Sequence, residues 1–411
     1  KARFVSGNFL NFYINPSGSM NTLNESLFAQ GMENSPLELS FSPAFQEMIS
    51  AVLAEGFSIK QQEDGFNFTL SVEGDGGKLQ NLDMEFNQYN FVPSLYKMMS
   101  GEDLILYNEE YNLADRMENV MKIFNADSFV LQMYAEWKTE FKNQSGIDLD
   151  EDFISLLSGK NALFIHNTDQ LYPAVTLILD TEENNQKAQA TIAKFVTYLS
   201  DEFATAENSD FFTHNPSINI GGTNFQEFTI DTSKTVCPNE YSCEQNVQDL
   251  VDQTDTAKIT LRIGVTSDGK IVISTHRDLA AMFKKANGLT NNSGFNDAFT
   301  NDQEEIESIM YVSFNGLTNY IENFMTDFGA PVELKQSVVD GFAPWKSIYI
   351  KTFADKDTSW AEGMVQVDTD AFGPMLEELK SIFLLGIQSG ILPEDDYYDY
   401  DYNDYDYITN D

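Results

Sequence analysis

The sequence predicts an α+β fold, a duplicated module of mainly antiparallel sheet with packed helices. Three observations predict it. A strand-turn-helix pattern occurs twice, about 166 residues apart counted from Leu113 to Leu279. The copies are Leu104 to Met117 (LILYNEEYNLADRM) and Ile271 to Phe283 (IVISTHRDLAAMF). Each runs from an apolar strand through a polar turn to a Leu-Ala pair and a helix, and such internal similarity outranks local pattern. Second, segments that alternate with a period of two lie beside segments with helical spacing. Third, the 411 residues are 42% hydrophobic with 32 Phe and 18 Tyr, enough for real cores and for two ordinary domains.

Taken in order, Phe9 to Leu23 reads as a strand entering a helix, because Leu10, Phe12 and Ile14 alternate. Ser128 to Phe141 and Ile309 to Phe324 read the same way; in the latter Asn315-Gly316 breaks the strand, and Leu317, Ile321 and Phe324 form a stripe. Ile147 to Leu157 is a short acidic helix with Asp residues at its N-terminal end, where the helix dipole favours them. Ala162 to Ile165 and Ala174 to Leu179 are strands. Lys187 to Leu199 is a helix with Ala188, Ile192, Phe195 and Leu199 on one face. Gly74 to Gly77 and Thr266 to Gly269 read as hairpin turns, and Asn287 to Asn301 as a loop. The units are then 1–127, 128–300 with a cysteine-bearing loop at 236–256, a partial third unit at 301–392 that completes the sheet, and an acidic tail at 393–411.

The run Ser145 to Ile165 (SGIDLDEDFISLLSGKNALFI), followed by Tyr172 to Asp180 (YPAVTLILD) and a helix, resembles the bacterial envelope proteins of the DUF3352 family. That family pairs a Gly-hydrophobic-Asp-Leu-x-x-Asp helix with a Gly-x-x-Ala-Leu strand and an apolar strand ending in Asp. Ile271 to Thr275 with Asp278 to Ala281 is similar to its later strand-helix step. The resemblance spans about residues 128–325. It implies an extracytoplasmic α+β protein with an N-terminal leader or anchor, and it carries no functional residues.

Charge excludes whole classes of partner. With 65 acidic against 24 basic residues the formal net charge is −41. Phosphate backbones and anionic headgroups demand clustered Lys and Arg, and the chain has no basic run, so no nucleic acid partner is expected. The longest apolar stretch, Ser381 to Leu392, is about half of what a membrane crossing needs. The chain starts at Lys1 without an initiator Met, which reads as a removed leader or a trimmed boundary; any anchor would precede Lys1. Cys237 and Cys243, in TVCPNEYSC, are spaced for a loop-closing disulfide, with two free thiols as the alternative. The disulfide reading favours an oxidising compartment.

Catalytic motifs are sparse. His166, His214 and His276 are the three histidines, and none lies four residues from another. Each reads as a hydrogen-bonded surface side chain. No nucleophile elbow, Walker loop or kinase signature occurs, and Gly74 to Lys78 reads as a turn and not a phosphate loop. Asp148, Asp150 and Asp152 have the spacing of a calcium loop, but Phe153 and Gly159 stand where such a loop needs Gly and Glu. In the tail, Asp399, Asp401 and Asn403 repeat that spacing and are the candidate weak calcium ligands. Calcium bound there should raise thermal stability more than magnesium does, whereas an equal response to sodium would reduce the effect to charge screening. Tyr398, Tyr400 and Tyr402 alternate with acids, so an extended tail would present tyrosines on one face and could add to a sheet edge.

These observations lead to a non-enzymatic extracytoplasmic or cell-surface binding or scaffold protein, without a required cofactor and of unknown partner. One alternative is a self-associating surface or filament subunit that uses the tail as an added strand. Another is an envelope-polymer hydrolase with a carboxylate pair that spacing cannot reveal.

Overall fold

The computed structural model describes residues 10–14, 51–62, 65–75, 77–78, 90–124, 128–168, 172–181, 185–203, 212–231, 258–284, 288–299, 305–327, 329–355 and 358–368. The first strands are β1 (Leu10–Ile14), β2 (Val52–Gln62), β3 (Gly65–Gly74) and β4 (Leu104–Tyr111). Helices α1 (Leu113–Phe124) and α2 (Ser128–Ser145) follow, then β5 (Lys160–His166), β6 (Ala174–Asp180) and α3 (Asn185–Phe203). Four strands come next: β7 (Phe212–Ile220), β8 (Thr223–Asp231), β9 (Lys258–Val265) and β10 (Lys270–Ser274). Short helices α4 (Leu279–Lys284) and α5 (Ser293–Ala298) lead to β11 (Ser308–Ser313). The described chain closes with α6 (Phe314–Asp327), α7 (Val332–Phe342), β12 (Trp345–Asp355) and β13 (Thr358–Val367).

Among the described residues, thirteen strands join one sheet in the order β1-β2-β3-β13-β12-β11-β4-β5-β6-β10-β9-β8-β7. Every neighbouring pair is antiparallel. With helices packed on it, this is an α+β architecture. Alternation places Tyr107, Phe164, Thr176 and Ser274 in one cross-strand row. Around them a core gathers Leu95, Tyr96, Met99, Leu279, Leu289 and Phe295 from the segments over that face. On the other face Leu179 and Ile271 pack against Ala188 of α3 and against Leu156 and Leu157.

One order is repeated outward from the β4–β11 pair. β4 leads through α1 and α2 to β5, which pairs with β6, and β10, β9 and β8 follow β6 outward in that order. β11 leads through α6 and α7 to β12, which pairs with β13, and β3, β2 and β1 follow β13 outward in that order. At the centre Tyr107 stands opposite Tyr311, and Phe295 meets both rings edge-on at 5.7 and 5.4 Å. The two pattern copies at Leu104 and Ile271 fall on β4 and β10, which hold different places in this order. β4 and β5, either side of the expected 127/128 boundary, are direct partners.

Several local expectations are corrected. Ser128 to Phe141 contains no strand; helix runs from Ser128 to Ser145. The acidic segment forms a π-helical turn, Leu149–Phe153, and a 3-10 turn, Ile154–Ser158, with no regular α-helix. Gly74 to Gly77 does not join two paired strands. Gln62 faces Gly65, so the β2–β3 hairpin turns earlier, and the Asp75 carboxylate instead accepts from the N–H groups of Gly77 and Lys78 at 3.1 and 3.2 Å. Within the expected 287–301 loop, a 3-10 turn (Gly288–Asn291) and α5 form, and Asn292 caps α5 by accepting from Phe295 N–H at 3.1 Å.

Candidate functional site

The surface-histidine expectation fails for two of the three. Strand β5 extends one residue past Ile165, which turns His166 onto the same buried face as Ala162 and Phe164. Its Nε2 donates to the Ser100 carbonyl at 2.9 Å, and Nδ1 has no partner among the described residues. His276 follows β10, is also buried, and stands edge-on to His166 at 5.7 Å. Its Nδ1 accepts from Asp278 N–H at 3.1 Å. Burial holds the His166 pKa down at about 4, with a smaller push from His276 against the Ser100 hydrogen bond. His214 stacks on Phe228 at 4.4 Å and meets Gln226 Oε1 at 2.9 Å.

Sequence spacing gave no hint of Glu109, a fully buried carboxylate on β4. Ser94 N–H donates to it at 2.9 Å, Leu95 N–H at 3.2 Å, and the Tyr107 hydroxyl also donates. Burial raises its pKa against these donors, and burial with the adjacent carboxylate keeps the Tyr107 phenol protonated. Lys160 donates to Val92 O and Ser94 Oγ at 3.0 and 3.1 Å. The group therefore latches residues 92–95 onto β4 and β5. A carboxylate already taking two amide protons and a phenol proton is tied up as a structural acceptor.

A carboxylate pair flanks Arg116 on α1. Glu307 meets the guanidinium at 2.9 Å and Glu110 at 3.5 Å, and burial raises both carboxyl pKa values. One cation shared by two half-buried acids ties α1 to β4 and to the chain entering β11.

The acidic turn before β5 builds a different surface. Asp148 accepts from Asp150 N–H and Glu151 N–H at 3.0 and 3.1 Å, and Asp152 accepts from Asp148 N–H at 2.8 Å. Lys142 of α2 pairs with Asp148, Lys138 of α2 with Asp150, and Lys194 of α3 with Asp152. The Lys142 ammonium, aided by backbone N–H groups, holds the Asp148 carboxyl at about 2. The calcium-like spacing is thus occupied by lysines. Among the described residues no three His, Cys, Asp or Glu side chains converge as a metal site.

This clamp fixes helix α2, whose inner side carries Tyr134, Lys138, Phe141 and Ser145 at helical spacing. Phe141 meets Tyr198 of α3 edge-on at 5.9 Å. On the adjoining outward side Met133 and Trp137 are 56% and 53% exposed, with Trp137 stacked on Phe141 at 5.9 Å. Glu136 and Glu140 line an open depression of about 590 Å³ beside them, together with Gln132 and Asn143. Helical spacing of Met133, Trp137 and Phe141 could have exposed this stripe, had Ser128 to Phe141 not been read as a strand entering a helix.

Cys237, Cys243, Asp399, Asp401, Asn403, Tyr398, Tyr400 and Tyr402 lie outside the described residues. Among the described residues, no helix is long and apolar enough to cross a membrane. Comparison with known protein families, curated proteins and solved structures finds no match to this chain.

Proposed function

We propose that this chain is a non-enzymatic binding or scaffold protein that works outside the cytoplasm, with the outward side of α2 as its recognition face. The observation that carries it is the exposure of Met133 and Trp137 side by side on a helix pinned in place by Lys–Asp pairs. Single exposed apolar residues are ordinary, but adjacent large ones on a rigid element favour a partner that covers them. Trp and Met are enriched where proteins meet. The extracytoplasmic part of the reading draws on the Cys237–Cys243 spacing and the envelope-family resemblance. The repeated strand order supports a duplicated module as the scaffold. A tagged chain and its Met133→Ala/Trp137→Ala variant, matched for melting temperature, can be compared in retrieval from an envelope fraction. A species held by the native chain and lost by the variant supports the reading; equal retrieval by both, or none by either, refutes it.

A second reading, self-assembly by strand addition, is favoured by β1. It lies at the end of the sheet with β2 as its partner in the strand order, and its sequence LNFYI has neither charge nor proline to protect an edge. At the opposite end β7 carries Pro216 at a bulge. Removing residues 393–411 and sizing the product separates the two readings. An oligomer that shrinks supports tail-to-edge assembly, and an unchanged size eliminates it.

A further inference from the structure

We infer that the Met133–Trp137 face of α2 docks a cationic amphipathic helix of a partner protein. The inference rests on the reading of α2 as the recognition face and adds the partner's chemistry. Helical spacing puts Glu136 and Glu140 along one border of the apolar pair, and Gln132 and Asn143 along the depression beyond. The helix's two lysines, Lys138 and Lys142, turn to the other side, where each holds an aspartate of the acidic turn. One border of the apolar pair is therefore anionic and amide-lined, and the other is the aromatic side of Tyr134 and Phe141. A helix with apolar anchors at i and i+4 and flanking Lys or Arg complements it, the mode in which a groove takes an amphipathic helix. A partner cation can also lie over the Trp137 indole, since that ring keeps half its surface in solvent.

Charge decides among the occupants. A second copy would bring the same carboxylates together between two chains of −41 each, and an anionic membrane would meet the same repulsion. A cationic helix gains from both the rim and the long-range field. The contact is small, so a dissociation constant on the order of micromolar is expected.

The test titrates the full chain with three amphipathic helical peptides of equal length and apolar face, Leu/Lys, Leu/Gln and Leu/Glu, and reads tryptophan emission and calorimetric heat. Three variants accompany it, each checked for an unchanged melting curve: Met133→Ala/Trp137→Ala, Glu136→Gln/Glu140→Gln, and Glu333→Gln/Asp340→Asn on α7, which packs against α6. The expected result is saturable Leu/Lys binding, weakened roughly tenfold by either α2 variant and less than about twofold by the α7 variant. Equal weakening by the α7 variant would reduce the attraction to net charge and overturn the inference. Binding of Leu/Gln or Leu/Glu as tight as that of Leu/Lys, still lost with Trp137, would overturn the cationic partner while leaving α2 as a recognition face. No peptide responding to Trp137 would overturn both.

Discussion

His166 shows how one residue of strand length changes a side chain's chemistry. Ending β5 at Ile165 leaves it a surface base; ending it at His166 buries the ring and pulls its pKa to about 4. The alternation was legible in the sequence, but the terminal residue was not, because strand ends are set by the partner. Here Ala174 of β6 and Leu104 of β4 face His166. The sign of the pH dependence follows. In the unfolded chain His166 titrates near 6.5, so between about 6.5 and 4 the unfolded state binds the extra proton. Its contribution to stability is present above 6.5 and is lost as pH falls through 4, on the order of 3 kcal/mol in all. Glu109, Glu110 and Glu307 act oppositely, since burial raises their pKa values and favours the folded state as pH falls. A His166→Gln variant keeps an N–H for the Ser100 carbonyl but takes up no proton. Urea unfolding across pH 7 to 4.5 should show native stability falling more steeply than that of the variant; parallel profiles would mean that His166 stays silent.

At the scale of elements, the readable ones were those that carry an apolar run or a helical stripe between polar turns. β6 and β10 are such runs, β5 alternates, α3 carries a stripe, and the step from β11 into α6 shows both patterns in turn. Helix α2 misled because Phe129-Val-Leu131 is a short apolar run, which periodicity cannot divide between strand and helix. The Asn315-Gly316 pair was read as a breaker, but Gly316 is the second residue past the helix start and marks a close approach. A Cβ there would lie 2.0 Å from the Leu104 carbonyl oxygen of β4. That atom is backbone and cannot swing aside, so the helix must shift. Gly316→Ala should destabilise by about 1–3 kcal/mol despite alanine's better helix propensity. Asn315→Ala, one residue away and exposed, is the control. Equal urea midpoints for the two variants would show that α6 does not seat against β4.

The order of the whole sheet was not legible, and the reason is physical. Alternation tells which face a strand buries but not which strand it lies beside, and the decisive pairing here is remote. Gly65 of β3 faces Gln366 of β13, about 300 residues along the chain. Strands β4 to β10 form one contiguous half of the sheet, whereas β1–β3 must wait for β11–β13 to complete the other. Closing so long a loop costs entropy before its contacts form. Cutting the chain between residues 300 and 301 tests this division. The 1–300 piece keeps β4 to β10 together, so amides in β5, β6 and β10 should stay protected from hydrogen exchange, while β3 loses its β13 partner and exchanges faster. Mixing with the 301–411 piece should restore protection in β3 and return the urea midpoint toward that of the intact chain, because the added strands bind only the folded half. If β3 is equally protected in the 1–300 piece with and without the second fragment, the β3–β13 pairing does not hold the sheet together, and β1–β3 form a unit of their own.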